Sequence, residues 1–168
     1  MNIPDGVSVE IQGNLMKVKG PKATLEKKFD DKTVAIAVEG KEVKVTLKKK
    51  ATRKHRAASN AIEAHLKNMF EGSQGDFTKK LQVVYAHFPV SIEVKEKKVF
   101  IKNFLGEKVP REAKVIGNTK VAAAGQEITV SGNDKEAVGQ TASNLVRATK
   151  IVKKDIRVFQ DGIYYLQG

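Results

Sequence analysis

The chain has 168 residues, no Cys and no Trp, and sets 31 Lys and Arg against 19 Asp and Glu, a formal net charge of +12. Without Cys, disulfides and thiolate zinc sites are excluded. The longest strongly apolar uncharged run, Leu81 to Ile92, is too short to cross a bilayer. The opening Met1-Asn-Ile-Pro-Asp is neither a basic leader nor an apolar stretch, so a soluble, cytoplasmic protein without a signal peptide is expected.

In chain order, Val7 to Ile11 alternates apolar and polar residues, Gly13-Asn14 turns, and Leu15 to Val18 returns, which predicts a hairpin broken at Gly20-Pro21. Thr33 to Val38 and Glu42 to Leu47 predict a second hairpin around Glu39-Gly40, with Val43, Val45 and Leu47 on one face. A helix follows from about Thr52, with Ala58, Ile62, Leu66 and Met69 along one side. Glu71 to Asp76 reads as a loop, and Leu81 to Phe88 as a strand. Then come a hairpin over Val90 to Ile101, a break at Asn103 to Gly106, a hairpin over Ala113 to Val130, and a helix from Asp134. Asn133 or Asp134 can cap that helix, and Val138, Ala142, Leu145, Val146 and Thr149 recur at helical spacing. Lys150 to Arg157 leaves the helix, and Val158 to Leu166 ends the chain as an extended piece.

The two halves repeat. Val7-Ser-Val-Glu-Ile matches Val90-Ser-Ile-Glu-Val at a spacing of 83, Ala58-Ser-Asn-Ala-Ile matches Ala142-Ser-Asn-Leu-Val at 84, and Gly40-Lys-Glu-Val matches Gly125-Gln-Glu-Ile at 85. The segments keep their order, so the chain reads as two tandem α+β domains, residues 1–84 and 85–168. Each is an antiparallel sheet with one helix packed on a face. With that division the first half carries 17 cations against 10 acids and the second 14 against 9. Both halves are basic, which points to a polyanionic partner, most commonly nucleic acid.

Two clusters stand out as RNA-binding candidates. Lys48, Lys49, Lys50, Arg53, Lys54 and Arg56 lie before and within the first turn of the first helix, and no acid occurs between Val43 and Ile62. The helix macrodipole is already positive there, so the cations destabilise that end unless an anion is bound, and a helix N-terminus with lysines and arginines suits phosphate. A solvated surface run is the plainer alternative, but phosphate is favoured because the second helix places Asp134 and Glu136 at its matching end. The second cluster is Lys150, Lys153, Lys154 and Arg157 with Tyr164 and Tyr165 beyond them. Cations beside aromatics suit RNA through phosphate contact and base stacking. Arg147 and Lys150 serve equally to satisfy the helix C-terminus.

Catalysis finds little footing. His55, His65 and His87 lack metal-ligand spacing, no nucleophile elbow or phosphate-binding loop occurs, and Gly72-Ser-Gln-Gly-Asp lacks the required lysine. No cofactor, metal, membrane or small-molecule substrate is expected. An enzymatic alternative would rest on His87 with Asp76. Gly139 inside the second helix costs about 1 kcal/mol relative to Ala, a cost that close packing against the sheet or an RNA backbone would explain.

Gly132-Asn-Asp-Lys-Glu-Ala-Val-Gly-Gln-Thr-Ala, followed by Arg157-Val-Phe-Gln-Asp-Gly-Ile-Tyr-Tyr, resembles the carboxyl-terminal signature of the L-six family of large-subunit ribosomal proteins. Phe159, Asp161, Gly162 and Tyr164 resemble its archaeal and eukaryotic branch; the bacterial Tyr-Lys-Gly-Lys-Gly type of segment is missing. Val18-Lys-Gly-Pro-Lys and Leu81-Gln-Val-Val-Tyr-Ala-His-Phe-Pro are similar to further family features. The resemblance implies two related α+β domains in the large ribosomal subunit, on ribosomal RNA near the factor-binding region and beside neighbouring ribosomal proteins, with no enzyme activity. It also implies that the second domain is the anchor, through Lys150 to Tyr165. Charge divided at Val84 favours the first. A non-ribosomal RNA-binding or RNA-chaperone protein is the alternative.

Overall fold

A computed structural model describes residues 1–30, 34–48 and 52–166. The chain divides into two units, Met1–Asp76 and Phe77–Gly168.

In the first unit β1 (Ser8–Gln12), β2 (Leu15–Lys19) and β3 (Thr24–Lys28) form an antiparallel sheet in chain order, and β4 (Val34–Glu39) pairs with β5 (Glu42–Leu47). Gln12 faces Leu15 across a two-residue turn led by Gly13 at φ +59°, a conformation that glycine adopts without steric cost. The third strand was not expected, because its half-buried face pairs Leu25 with a lysine, Lys27, and shows no apolar alternation. Its outward Glu26 instead pairs with Lys17 directly opposite, at 2.5 Å. Helix α1 (Arg53–Gln74) packs Ile62, Leu66, Met69 and Phe70 against Met16, Val18, Val34 and Val43. The loop expected from Glu71 is the helix's last turn. Its small residues serve a close approach: a Cβ on Gly20 would lie 2.5 Å from Ser73, and Lys22 N–H donates to the Ser73 carbonyl at 3.1 Å. Gly75 closes the helix, donating to the Glu71 carbonyl at 2.9 Å.

The second unit repeats this plan and adds to it. Strands β7 (Ser91–Lys95), β8 (Lys98–Lys102) and β9 (Arg111–Lys114) correspond to β1–β3, so Ala113 belongs to this sheet and not to the later hairpin. The hairpin β10 (Lys120–Ala124) and β11 (Glu127–Gly132) corresponds to β4–β5. It is extended by β6 (Phe77–Val84) and β12 (Gly162–Tyr165) into an antiparallel sheet ordered β10-β11-β6-β12. Helix α2 (Lys135–Ala148), capped by Asp134 on the Glu136 N–H at 2.9 Å, buries Val138, Ala142 and Leu145 against Leu81, Val83, Ile128, Val130 and Ile163.

Both units are therefore α+β copies of one plan, with two small sheets per copy where one was expected. The division falls at Asp76, earlier than Val84, because β6 is the strand between β11 and β12 and supplies the fully buried Leu81. That shift moves Lys79 and Lys80. The first unit then carries 15 cations against 10 acids and the second 16 against 9, which reverses the charge order read from the earlier division.

Candidate nucleic-acid interface

The first cluster surrounds the start of α1. Lys48 is exposed just past β5, while Lys49 and Lys50 lie outside the described residues. Thr52 caps the helix, its hydroxyl accepting from the His55 N–H at 3.3 Å, and the first turn holds no acid. Arg53, Lys54 and Arg56 are exposed and, among the described residues, pair with no carboxylate. Their charges thus add to the macrodipole instead of opposing it. Helix α2, with Glu136 in its first turn and Arg147 in its last, has the opposite and stabilising arrangement.

The second cluster is built where α2 ends. The Thr149 hydroxyl donates to the Val146 carbonyl at 3.1 Å and accepts from the Ile163 N–H at 3.0 Å, which ties the helix end to β12. Arg111 reaches from β9 to the same place. Its guanidinium donates to the carbonyls of Ala148 (2.9 Å) and Lys150 (3.2 Å), grips Glu107 at 2.6 and 2.8 Å, and lies 4.5 Å over the Phe104 ring. The Arg111 hydrogen bonds hold the Glu107 carboxyl below the usual carboxylate range. The basic segment that follows is thereby anchored at its root.

Within it, the Asp155 carbonyl accepts from the N–H groups of Val158 and Phe159, at 3.1 and 2.9 Å, so the chain turns back on itself. Asp155 also holds Arg157 through Nε at 3.2 Å and Nη2 at 3.0 Å, which pulls its own carboxyl below the ordinary value. Arg157 is therefore the candidate whose charge is already matched inside the molecule. Lys150, Lys153 and Lys154 have no carboxylate partner among the described residues. Lys154 sits 4.8 Å over the ring of Phe159, an aromatic that attention to the tyrosines overlooked. The Tyr164 hydroxyl donates to the Gln160 carbonyl at 2.9 Å, and its ring lies on Gly162, where a Cβ would meet it at 3.2 Å. Tyr165 is half exposed.

Two further features escaped the sequence. Lys80 lies on β6, its carbonyl accepting the Leu166 N–H at 3.1 Å, so the unit's own sheet carries a cation beside the tyrosine strand. Assigning 77–84 to the first half had hidden it. The other is Asp161, 1% exposed, whose Oδ1 accepts from the Ala86 N–H at 3.1 Å and lies 3.2 Å from His87 Nδ1. His87 thus engages Asp161, and it stacks on Phe159 with ring centres 5.1 Å apart. The other oxygen of Asp161 is buried without a partner. Alternation patterns cannot register a buried carboxylate fixed by a bend 75 residues away in sequence. Asp161 lines a recess of about 390 Å³ together with Val146, Arg147, Thr149, Lys150, Ile151, Ile156, Phe159, Gly162, Ile163 and Tyr164.

The family model described as Ribosomal protein L6 matches residues 3–75 and again 88–162, one match in each unit. A large ribosomal subunit protein uL6 of Methanosarcina mazei is 45% identical over 168 residues, covering 99% of this chain and 94% of its own length. Namesakes from Methanothrix thermoacetophila (42%, covering 99% of this chain and 94% of that protein) and Ignicoccus hospitalis (43%, covering 98% and 90%) are similar over the same span. A doubled family match on a doubled fold, with near full-length similarity to these archaeal proteins, means that the chain belongs to the ribosomal protein L6 family.

Proposed function

We propose that this protein is a structural constituent of the large ribosomal subunit in the cytoplasm, binding large-subunit ribosomal RNA near the factor-binding region beside neighbouring ribosomal proteins. The observation that carries the reading is the set of exposed cations without carboxylate partners, at the start of α1 and in the segment after α2, on a chain of net charge +12. Such charges gain most from phosphate, which positions a protein on RNA and neutralises the repulsion between packed RNA helices. Phosphate contacts fall to Lys48, Lys49, Lys50, Arg53, Lys54 and Arg56 in the first unit. In the second they fall to Lys150, Lys153 and Lys154, with Arg157 available once it leaves Asp155. Tyr164 and Tyr165 supply ring faces for stacking. No step in this role requires chemistry on a substrate.

The alternative, an RNA chaperone outside the ribosome, uses the same surfaces; similarity to proteins named for the large subunit favours the first. Co-sedimentation with large subunits through a high-salt wash tests the choice. Binding to the RNA alone should weaken with salt at a slope of about −4 to −5 in log affinity against log salt for about 6 phosphate contacts. A slope near zero would remove the electrostatic mechanism.

A further inference from the structure

We infer that the recess beside β12 receives one unpaired guanosine of the RNA, base first. The inference rests on the RNA-binding reading above and makes it specific. The lining of the recess combines three chemistries. Its exposed lining is Arg147, Lys150 and Ile156, and Phe159 (half-buried) and Ile163 (buried) add apolar surface. Asp161, 1% exposed, adds a buried carboxylate. A phosphate is attracted to the cations and repelled by the carboxylate. An apolar peptide would gain nothing from either. A nucleotide that enters by its base satisfies all three: phosphate at the cations, flat ring against the apolar surface, hydrogen-bond donors at the carboxylate.

Asp161 also selects the base. Its Oδ1 is engaged by Ala86 and His87, and its Oδ2 is the buried side-chain oxygen left without a donor among the described residues. Leaving a buried acceptor oxygen without a donor is costly. Guanine sets N1–H and the N2 amino group side by side on its pairing edge. Adenine and cytosine put an acceptor beside their donor, and uracil offers a single N–H between two carbonyls. The recess volume, about 390 Å³, falls within the range of about 300–1,000 Å³ usual for small-ligand sites. Ile156, 69% exposed on one wall, has no role in the core that would explain an isoleucine there.

The test uses the full chain and fluorescence anisotropy with RNA hairpins of one stem sequence: fully paired, or with a single bulged guanosine, inosine or uridine. The bulged guanosine should bind at least about tenfold tighter than the paired stem, the weight of one stacked base. Inosine, which lacks the N2 amino group, should fall between guanosine and uridine. Ile156→Gln, at an exposed position, should remove the guanosine advantage and leave paired-stem binding unchanged. Asp161→Asn, which keeps an oxygen for Ala86, should erase the preference for guanosine over uridine. Equal binding of guanosine and uridine bulges by the unmodified chain overturns the inference, as does equal weakening of paired and bulged RNA by Ile156→Gln. In both cases the RNA-binding reading survives. Failure of every hairpin to bind at low salt overturns that reading as well.

Discussion

Arg111 does more for the basic segment than any lysine within it, although it contributes no free charge. Its hydrogen bonds to the Ala148 and Lys150 carbonyls fix where the chain leaves α2, and Glu107 and the Phe104 ring hold its guanidinium in place. A hydrogen bond from a charged donor contributes about 1.5–3 kcal/mol, and of the two carbonyl bonds only the one to Ala148 is partly buried, so Arg111→Ala should destabilise the second unit by roughly the value of one such bond. It should also raise amide exchange around Lys150 and weaken RNA binding without altering a phosphate contact. Unchanged exchange at Lys150 would contradict the anchoring role. The pair has a pH signature. Folding lowers the Glu107 pKa through Arg111, so the contribution is present above the unfolded carboxylate value and is lost as pH falls through the folded one. The stability gap between the unmodified chain and Glu107→Gln, measured by denaturant melts from neutral to acid pH, should therefore narrow on acidification. Neither partner was legible beforehand: Glu107 and Arg111 stood between the break at Asn103 to Gly106 and the hairpin expected from Ala113, and the role of Arg111 depends on a helix end more than thirty residues on.

At the scale of elements, the two helices are the same piece of the duplicated plan under opposite electrostatic regimes. Helix α1 begins with Arg53, Lys54 and Arg56 and no acid in its first turn, whereas α2 begins with Asp134 and Glu136. Removing one cation from the start of α1 should help the free helix by about 0.3–1 kcal/mol. Arg53→Glu or Lys54→Glu should therefore raise the melting temperature at low salt and weaken RNA binding; a lower melting temperature with unchanged binding would place the cluster inside the fold's own ion pairs. Gly139 gives a second helix-scale expectation. A Cβ there meets nothing within 4 Å, so packing against the sheet does not explain the residue. Gly139→Ala should stabilise the free chain by about 0.5–1 kcal/mol through helix propensity alone, read as a higher melting temperature. Strong periodicity made both helices and the hairpins β1–β2, β4–β5 and β7–β8 legible. Strand β3 was hidden because its half-buried face holds one apolar residue and a lysine, and the last turn of α1 because Gly72 and Ser73 look like loop chemistry until Gly20 is seen against Ser73.

For the whole molecule, the duplication was legible because it is written in three matched segments, but the boundary was not, because the counterpart of β6 in the first copy is only the short antiparallel bridge of Asn2 to Glu42. A strand reduced to one bridge in the other copy leaves too little pattern to match; its partners β11 and β12 assign it. The consequence is measurable. Residues 85–168 lack β6 and with it Leu81 and Val83, both buried in the second core. Losing a central strand from a unit this small removes more than its marginal stability allows. That fragment should be unfolded, with amide spectra collapsed into the random-coil range, whereas residues 77–168 should fold. With the division at Asp76 the charge count, 16 cations against 9 acids, joins the family resemblance in favouring the second unit as the anchor. Bulk charge alone gives affinity without discrimination; shape fit and stacking provide the latter. Residues 77–168 should then bind large-subunit ribosomal RNA in preference to an unrelated RNA of equal length, and residues 1–76 should bind both weakly and alike. Titrating the two fragments against both RNAs decides it: preference confined to residues 1–76 would move the anchor to the start of α1 and leave the segment after α2 as a solvated surface.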